Sequence, residues 1–301
     1  MKVEFVSQYP QLMVNIEKGQ IRFSNGKFKT SDEETIRELY LGNGYGKEYK
    51  LSKKSFDEAL GSKRITFNKI TGGIEPKYDK KLVKDVSIII GTHYNPENLK
   101  NCLESLYKNT PDGFELIVVD NDAPKETKDF LEKFKKIHPL HVIHNKKNES
   151  FAHFNNQGVE ISTKKYILYL NDDIILKPEW LESMVYLLKN VKNCGMVGKM
   201  SLDKEGNPFQ HKESFNSGKN SVAFAYCVLI EKKFANFDER YIVGGWEDLD
   251  LCETIKQKGL DIWIERRHPI IHLGSASINK LPDKMKLYEI NKQSFELKWK
   301  K

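Results

Sequence analysis

From Asp85 to Asn190 the chain repeats one alternation four times: a short apolar run, then a stretch whose apolar residues recur at helical spacing. "VSIIIGT" (86–92) is apolar almost without interruption, the pattern of a strand buried on both faces. Leu99, Cys102, Leu103 and Leu106 follow behind Pro96 at the spacing of one helix face. "FELIVVD" (114–120) is a second buried strand, and residues 125–137 place Phe130, Leu131 and Phe134 on one side of a second helix. "HVIHN" (141–145), a helical stretch over 150–162 and "KYILYL" (165–170) continue the series. "PEWLESMVYLLKN" (178–190) closes it as a helix with Pro178 in its first turn, where a missing N–H costs nothing. A β-α-β-α-β-α-β order is satisfied by a mostly parallel sheet with helices on both faces, so the fold class is α/β.

Beyond residue 190 the alternation loosens. "CGMVGKM" (194–200) and "SVAFAYCVLIE" (221–231) read as strands, with a polar loop between them. A helix over 247–258 and a short strand "DIWIE" (261–265) follow. The first 80 residues differ, with β-like runs in "VEFVSQY" and "IRFSNGKFKT", a helix from Ser31 to Tyr40 and glycine-rich turns. Residues 75–84 ("EPKYDKKLVK") read as a linker, dividing the chain into a small domain over 1–80 and a larger one over 81–301. Charge divides it likewise: residues 1–84 carry 17 Lys and Arg against 11 Asp and Glu, a net +6 of the chain's +7. A solvated basic face explains such an excess more simply than nucleic-acid binding does.

No apolar run approaches the ~20 residues of a membrane span. The opening "MKVEFVSQYP" lacks the apolar block of a secretion signal, so the expected location is the cytoplasm. Cys102, Cys194, Cys227 and Cys252 lie in apolar stretches without CxxC spacing, as reduced core thiols do.

In open α/β sheets ligands bind at the carboxyl ends of strands. Three polar clusters fall there: "GTHYN" (91–95), "DND" (120–122) and "NDD" (171–173). Neither GxGxxG nor GxxxxGK[ST] is present, which disfavours a dinucleotide site and a P-loop. Taken alone, "NDD" reads as a turn, because Asn and Asp hydrogen-bond their own backbone there. In "GGWEDLDLC" (244–252), Gly244 and Gly245 permit close approach and Trp246 offers a flat face for a sugar ring. Glu247 and Asp248 open a helix whose dipole favours ionised carboxylates, while Asp250 points elsewhere and reads as a cap or loop anchor.

The ordered set "VSIIIGTHYNPENLKNCLESL", "ELIVVDN", "NESFAHFNNQGV", "YILYLNDDIIL" and "GGWEDLDLC", with the tail "YEINKQSFELKWKK", resembles family 2 glycosyltransferases, their rhamnosyltransferase-like branch most of all. The likeness runs over about residues 84–301. It implies a GT-A fold and a metal-dependent, inverting transfer of sugar from a nucleotide-diphosphate donor, a UDP-sugar by preference, to a hydroxyl on a glycan, protein or other acceptor. It implies Asp173 as a ligand of Mn²⁺ or Mg²⁺, His272 in "PIIHLG" as a further ligand, and Asp172 near the donor ribose or the metal's water shell. Thr92, Tyr94, Asn95, Asp120 and Asn121 would hold the nucleoside, with His93 beside them and Asn148 and Asn156 near the donor. Asp248 would be the base and Glu247 would orient the acceptor, with Trp246 and Gly245 in the acceptor site. The chain departs from the branch at Ser150, where Gly is usual, and at Phe154, where a small residue is usual. Both departures alter the donor-side wall. The N-terminal segment is similar to small β-rich domains of phage head-associated proteins, which implies a phage or prophage enzyme working in the host cytoplasm. A rival expectation is a non-catalytic virion-associated binding protein with a transferase-like body. A nucleotidyltransferase on the same fold would usually carry a Gly-rich, basic loop after the first strand, which "GTHYN" does not provide.

Overall fold

A computed structural model describes residues 3–7, 13–16, 19–22, 24, 27–30, 49–51, 65–68, 73–76, 78–207, 222–242, 244–274 and 284–299. The chain divides into two compact units, Met1–Lys77 and Tyr78–Lys301. In the first unit β1 (Val3–Ser7) lies between β4 (Lys27–Thr30) and β5 (Tyr49–Leu51), antiparallel to both. Two further antiparallel pairs are β2 (Met13–Ile16) with β3 (Gly19–Arg22) and β6 (Ile65–Asn68) with β7 (Gly73–Pro76). The helix expected over Ser31–Tyr40 falls outside the described residues.

The second unit is built on one eight-stranded sheet in the order β10-β9-β8-β11-β14-β13-β15-β12. Its members are β8 (Val86–Thr92), β9 (Glu115–Asn121), β10 (His141–Asn145), β11 (Tyr166–Asn171), β12 (Ile174–Ile175), β13 (Cys194–Leu202), β14 (Cys227–Glu231) and β15 (Asp261–His272). The first four in that order are mutually parallel, and β13 is parallel to β15. β14 runs antiparallel to β11 and β13, and β12 antiparallel to β15. Successive side chains of a strand point to opposite faces. Ile89 joins the core cluster of Ile117, Tyr169, Val159 and Ile262, while its neighbours Ile88 and Ile90 are equally inaccessible from the other side. This double burial explains the uninterrupted apolar runs of the parallel strands.

The helices are α1 (Pro96–Asn109), α2 (Lys125–Phe134), α3 (Phe151–Ile161), α4 (Trp180–Asn190), α5 (Glu247–Gln257) and α6 (Lys284–Trp299). Asn95 caps α1 by accepting from Asn98 N at 3.2 Å, with Pro96 in the first turn, and Ser150 caps α3 by accepting from His153 N at 3.2 Å. None of the helices among the described residues is long and apolar enough to cross a membrane. The four cysteine thiols are unpaired, and Cys102, Cys227 and Cys252 are buried.

Four local expectations change. Pro178 precedes α4 instead of opening it: Glu179 takes a left-handed φ of 63°, which no helical residue can adopt, so the helix starts at Trp180. The strand read over 221–231 begins only at Cys227, because residues 222–226 leave the ladder and lay Ala223 across Gly198. The stretch 75–84, read as a linker, contains the boundary between the two units and carries structure of its own. Lys80–Asp85 is a 3-10 helix capped by Asp79, Val83 in it is fully buried, and the Tyr78 ring lies edge-on to Tyr186 and His268.

The fourth concerns β15, which runs to His272 instead of stopping at Glu265. Lys199 faces Glu265 on the partner strand, yet Ser201 faces Ile270, so Arg266–Pro269 bulge out of the ladder. The bulge is held from inside. Lys199, fully buried, donates to Glu265 Oε2 at 2.5 Å, Trp180 O at 2.7 Å and Ser183 Oγ at 2.9 Å, using all three ammonium protons. Glu265 accepts in addition from the backbone N–H of Arg267 and His268. Burial alone would raise the Glu265 carboxyl; the Lys199 charge, His268 and these hydrogen bonds outweigh it and bring it down to about 2.

Breaking a buried ion pair from one side leaves an uncompensated charge. Lys199→Met should therefore cost about 3–5 kcal/mol of stability at pH 7. Because the folded carboxyl titrates below its unfolded value of ~4.3, the pair's contribution is complete above that pH and fades as pH falls toward 2. Urea unfolding at pH 7 and pH 3.5 should show the gap between parent and variant narrowing at the lower pH. A gap that stays constant would contradict an ionised Glu265.

Candidate active site

Because β8, β9 and β11 are parallel and in register, their carboxyl ends form one edge, with Thr92 opposite Asp120 and Gly91 opposite Asn171. Thr92 Oγ1 donates to Asp172 Oδ2 at 2.8 Å. Fully buried Asp120 accepts from Ala123 N at 2.7 Å and pairs through its other oxygen with His144 Nδ1 at 2.7 Å. Asn121 donates to Asn148 Oδ1 at 2.7 Å and to Glu149 O, and accepts from Glu149 N and Asn145 Nδ2. Asn121 and Asn148 are thus hydrogen-bonded to each other beside Asp120 at the end of β9. Tyr94 is exposed, its ring 3.7 Å from that of His93, whose Nδ1 is buried without a partner. Asn95 spends its side-chain oxygen on the cap of α1.

Asn156 is brought elsewhere. Its amide donates to Phe237 O and Glu239 Oε1 and accepts from Phe237 N, all at 2.9 Å, so both ends hold the 237–239 loop. Phe154 shapes this edge as well: its ring lies so close over Gly91 that a Cβ there would overlap it.

Asp172 and Asp173 form the two-residue turn between β11 and β12. β12 pairs Ile174 with His272, and Leu273 N donates to Asp173 O at 2.9 Å, which brings Asp173 Oδ1 within 3.2 Å of His272 Nε2. The His272 ring stacks on Tyr226 at 5.0 Å between centroids. Burial raises the Asp172 carboxyl; the Thr92 hydrogen bond opposes this and the neighbouring Asp173 charge adds to it, leaving it at about 7. An oxygen donor and an imidazole nitrogen are the ligand types that could hold a divalent cation here.

Glu247 and Asp248 stand at the start of α5 behind a strained entry: Gly245 has φ 96° and Trp246, a non-glycine residue, φ 79°. Burial raises both carboxyls, and Glu247 feels the Asp248 charge as well. Glu247 Oε2 has no partner, nor has Trp246 Nε1. Asp248 accepts from Leu249 N at 2.8 Å, and the backbone groups of Leu249 and Ala225 oppose the rise of its carboxyl. The Trp246 ring packs against Tyr288 and Phe295 of α6, with centroids 5.5 and 5.1 Å away, so part of the face expected for a sugar is used internally. Asp250 anchors the chain, accepting from Tyr241 Oη at 2.8 Å, Lys298 Nζ and Trp299 Nε1.

Ala225 and Tyr226 bear on both regions of the site: the Ala225 backbone opposes the rise of the Asp248 carboxyl, Tyr226 O accepts from Asn171 N at 2.9 Å, and the Tyr226 ring stacks on His272. Tyr226 in turn donates its hydroxyl to Lys199 O, tying this segment to the bulged strand pair. Sequence reasoning passed over Tyr226 and the α6 residues, since neither stands in a polar motif at a strand end.

A curled, mostly parallel sheet flanked by helices gives the chain a GT-A fold. The chain belongs to glycosyl transferase family 2, whose family model matches residues 87–243. It is 27% identical over 173 residues to the poly(ribitol-phosphate) beta-N-acetylglucosaminyltransferase TarP of Staphylococcus aureus (strain N315), covering 53% of this chain and 52% of that one. It is 28% identical over 148 residues to an uncharacterized glycosyltransferase of Haemophilus influenzae (strain ATCC 51907 / DSM 11121 / KW20 / Rd), 42% of this chain and 45% of that one. The matches thus span about half the length of these relatives. Among solved structures, GalNAc-T7 with UDP, GalNAc and Mn2+ superposes with a TM-score of 0.57 at 14% identity, over 76% of this chain and 53% of that one.

The Gly91–Phe154 contact is testable at the level of packing. Gly91→Ala should destabilise the protein by about 1–3 kcal/mol through overpacking. Adding Phe154→Leu should recover part of that loss, since contacting residues couple. Strictly additive losses in thermal unfolding would show that the two residues do not meet.

Proposed function

We propose that this protein is a metal-dependent, inverting glycosyltransferase that moves a sugar from a nucleotide-diphosphate donor to a hydroxyl of a glycan, protein or other acceptor. The observation that carries the proposal is the 3.2 Å approach of Asp173 Oδ1 to His272 Nε2 at the turn after β11, a pair of donors suited to a diphosphate-bound cation, with a second acid pair, Glu247 and Asp248, opening α5. UDP is the preferred nucleotide, in line with the UDP and Mn2+ held by GalNAc-T7.

Asp173 and His272 would hold Mn²⁺ or Mg²⁺, and the imidazole favours Mn²⁺ over Ca²⁺. The fit rests on the 3.2 Å approach of their donor atoms at the carboxyl edge of the sheet. No group of three His, Cys, Asp or Glu able to hold a metal occurs among the described residues, so the diphosphate and water would complete the coordination. When bound, such an ion stabilises the charge that gathers on the leaving diphosphate. Asp172, held by Thr92, would face the ribose, and Tyr94 would cover the base above Asp120, Asn121 and Asn148.

On the other side, Asp248 takes the proton of the acceptor hydroxyl as its oxygen attacks the anomeric carbon from the face opposite the leaving diphosphate. The bond to the diphosphate breaks as the new one forms, with oxocarbenium character in between. Glu247, whose Oε2 has no protein partner, is placed to hydrogen-bond the incoming acceptor. Water withdrawn from around Asp248 raises its proton affinity, which suits a base working near neutral pH.

Asp248→Asn keeps the shape and removes the basic oxygen. Turnover should fall by about 10²–10⁴-fold while UDP affinity in Mn²⁺ stays nearly constant. In the parent, transfer requires ionised Asp248, so the rate should decline on acidification at a pH well above the ~3.9 of an ordinary aspartate. A variant with near-normal turnover, or an acid limb at ordinary aspartate pH, would move the role away from Asp248.

A further inference from the structure

Asn291 lies in the interior of α6, where Asn has no helical advantage, yet its side chain is fully inaccessible to solvent. Its amide is spent entirely on one stretch of backbone. Oδ1 accepts from Ile242 N at 3.0 Å, and Nδ2 faces the carbonyl oxygens of Ile242 at 2.9 Å, Gly245 at 3.0 Å and Gly244 at 3.3 Å. That stretch is the strained entry to α5, with Gly244 N folded back on Ile242 O at 2.8 Å, then Gly245 and Trp246 both at positive φ. A non-glycine residue held there costs about 1–3 kcal/mol and persists only where its surroundings over-determine it. Here the surroundings are α6. Tyr288 and Phe295 flank Asn291 in sequence by three and four residues, on the same side of the helix, and both pack on the Trp246 ring. One turn further, Lys298 and Trp299 hold Asp250 on α5 itself.

We propose that Asn291 is a positioning residue for the reaction: it fixes the 242–246 turn and thereby the direction in which Glu247 and Asp248 project. The proposal rests on the reading of those acids as the acceptor-side pair, and it adds a residue of the C-terminal helix that touches neither substrate. A primary amide is the one uncharged side chain of this size that can accept from one N–H and donate to several carbonyls at once. A carboxylate in its place would turn an oxygen toward three carbonyl oxygens, and a hydroxyl would reach only part of the set.

The test uses the full chain carrying Asn291→Ser, with Asn291→Asp as the harsher variant. Amide hydrogen exchange is the first readout: residues 242–250 should exchange faster in Asn291→Ser, while β8 and β9 keep the parent's rates. The second is a split between turnover and donor binding. With UDP-N-acetylglucosamine and UDP-N-acetylgalactosamine as probes in Mn²⁺, nucleotide release should fall by about 10²-fold, as misplacement of a catalytic group by an ångström does. UDP affinity by calorimetry should stay within about twofold, because the donor-side residues lie on other elements. If Asn291→Asp does not fold, Asn291→Ser carries the test alone. Unchanged exchange over 242–250 overturns the proposal, and so does faster exchange with normal turnover. If the parent itself releases nucleotide from neither probe, the choice of donor is at fault, and the exchange result still decides whether Asn291 holds the turn.

Discussion

Two residues, Asp172 and Asp173, join a strand in the interior of an eight-stranded sheet to the strand at its edge. Between β11 and β12 in the order of the sheet stand β14, β13 and β15, and a chain of two residues cannot reach across three flat strands spaced about 4.8 Å apart. The sheet must therefore curl until its edge returns to the end of β11. That single constraint sets His272, at the end of β15, against Asp173 at the end of the turn. Tyr226 meets the same corner, its carbonyl accepting from Asn171 N and its ring stacking on His272.

The curl is supported where it bends most. The Arg266–Pro269 bulge lets β15 turn away from β13 and return to pairing, and the buried Lys199–Glu265 pair, with the N–H groups of Arg267 and His268, satisfies the polar groups exposed by the bulge. An ion pair of this kind adds little net stability over a well-packed apolar substitute, but its geometry tolerates few alternatives. On the acceptor side, strain takes the place of curvature. Trp246 holds unfavourable backbone where α5 begins with Glu247 and Asp248, and α6 packs on that entry through Asn291, Tyr288 and Phe295. The acid pair there thus follows a residue, Trp246, whose backbone geometry is costly and is compensated by contacts elsewhere.

The parallel half of the sheet was legible because burial on both faces leaves a signature that solvent-facing strands lack, and the recurring apolar residues behind each strand marked the helices. The rest was hidden for identifiable reasons. "ERRHP" looks like the end of a strand, since four charged or titratable residues and a proline seldom continue a ladder; only a partner strand carrying a buried lysine sustains the bulge, and lysine is almost never fully buried. Asn156 reads as a donor-side amide from its motif, but the fold turns it to the 237–239 loop. Asn291 sits among Lys and Gln in a helix with no clear apolar face, so nothing local marks it as interior. The acids themselves were legible only as turns and helix starts; their chemistry came from the order of motifs along the chain, which no single spacing contains.

The placement of the donor cation at the closing turn is the claim on which the proposed transfer most depends. A crystal structure of the protein grown with UDP and Mn²⁺, with anomalous data collected for the metal, tests it directly. The expected result is one strong anomalous peak ligated by Asp173 and His272, with the diphosphate on its open side and the uridine over Asp120 and Asn121. Manganese bound away from both residues, or UDP seated elsewhere on the chain, would contradict it.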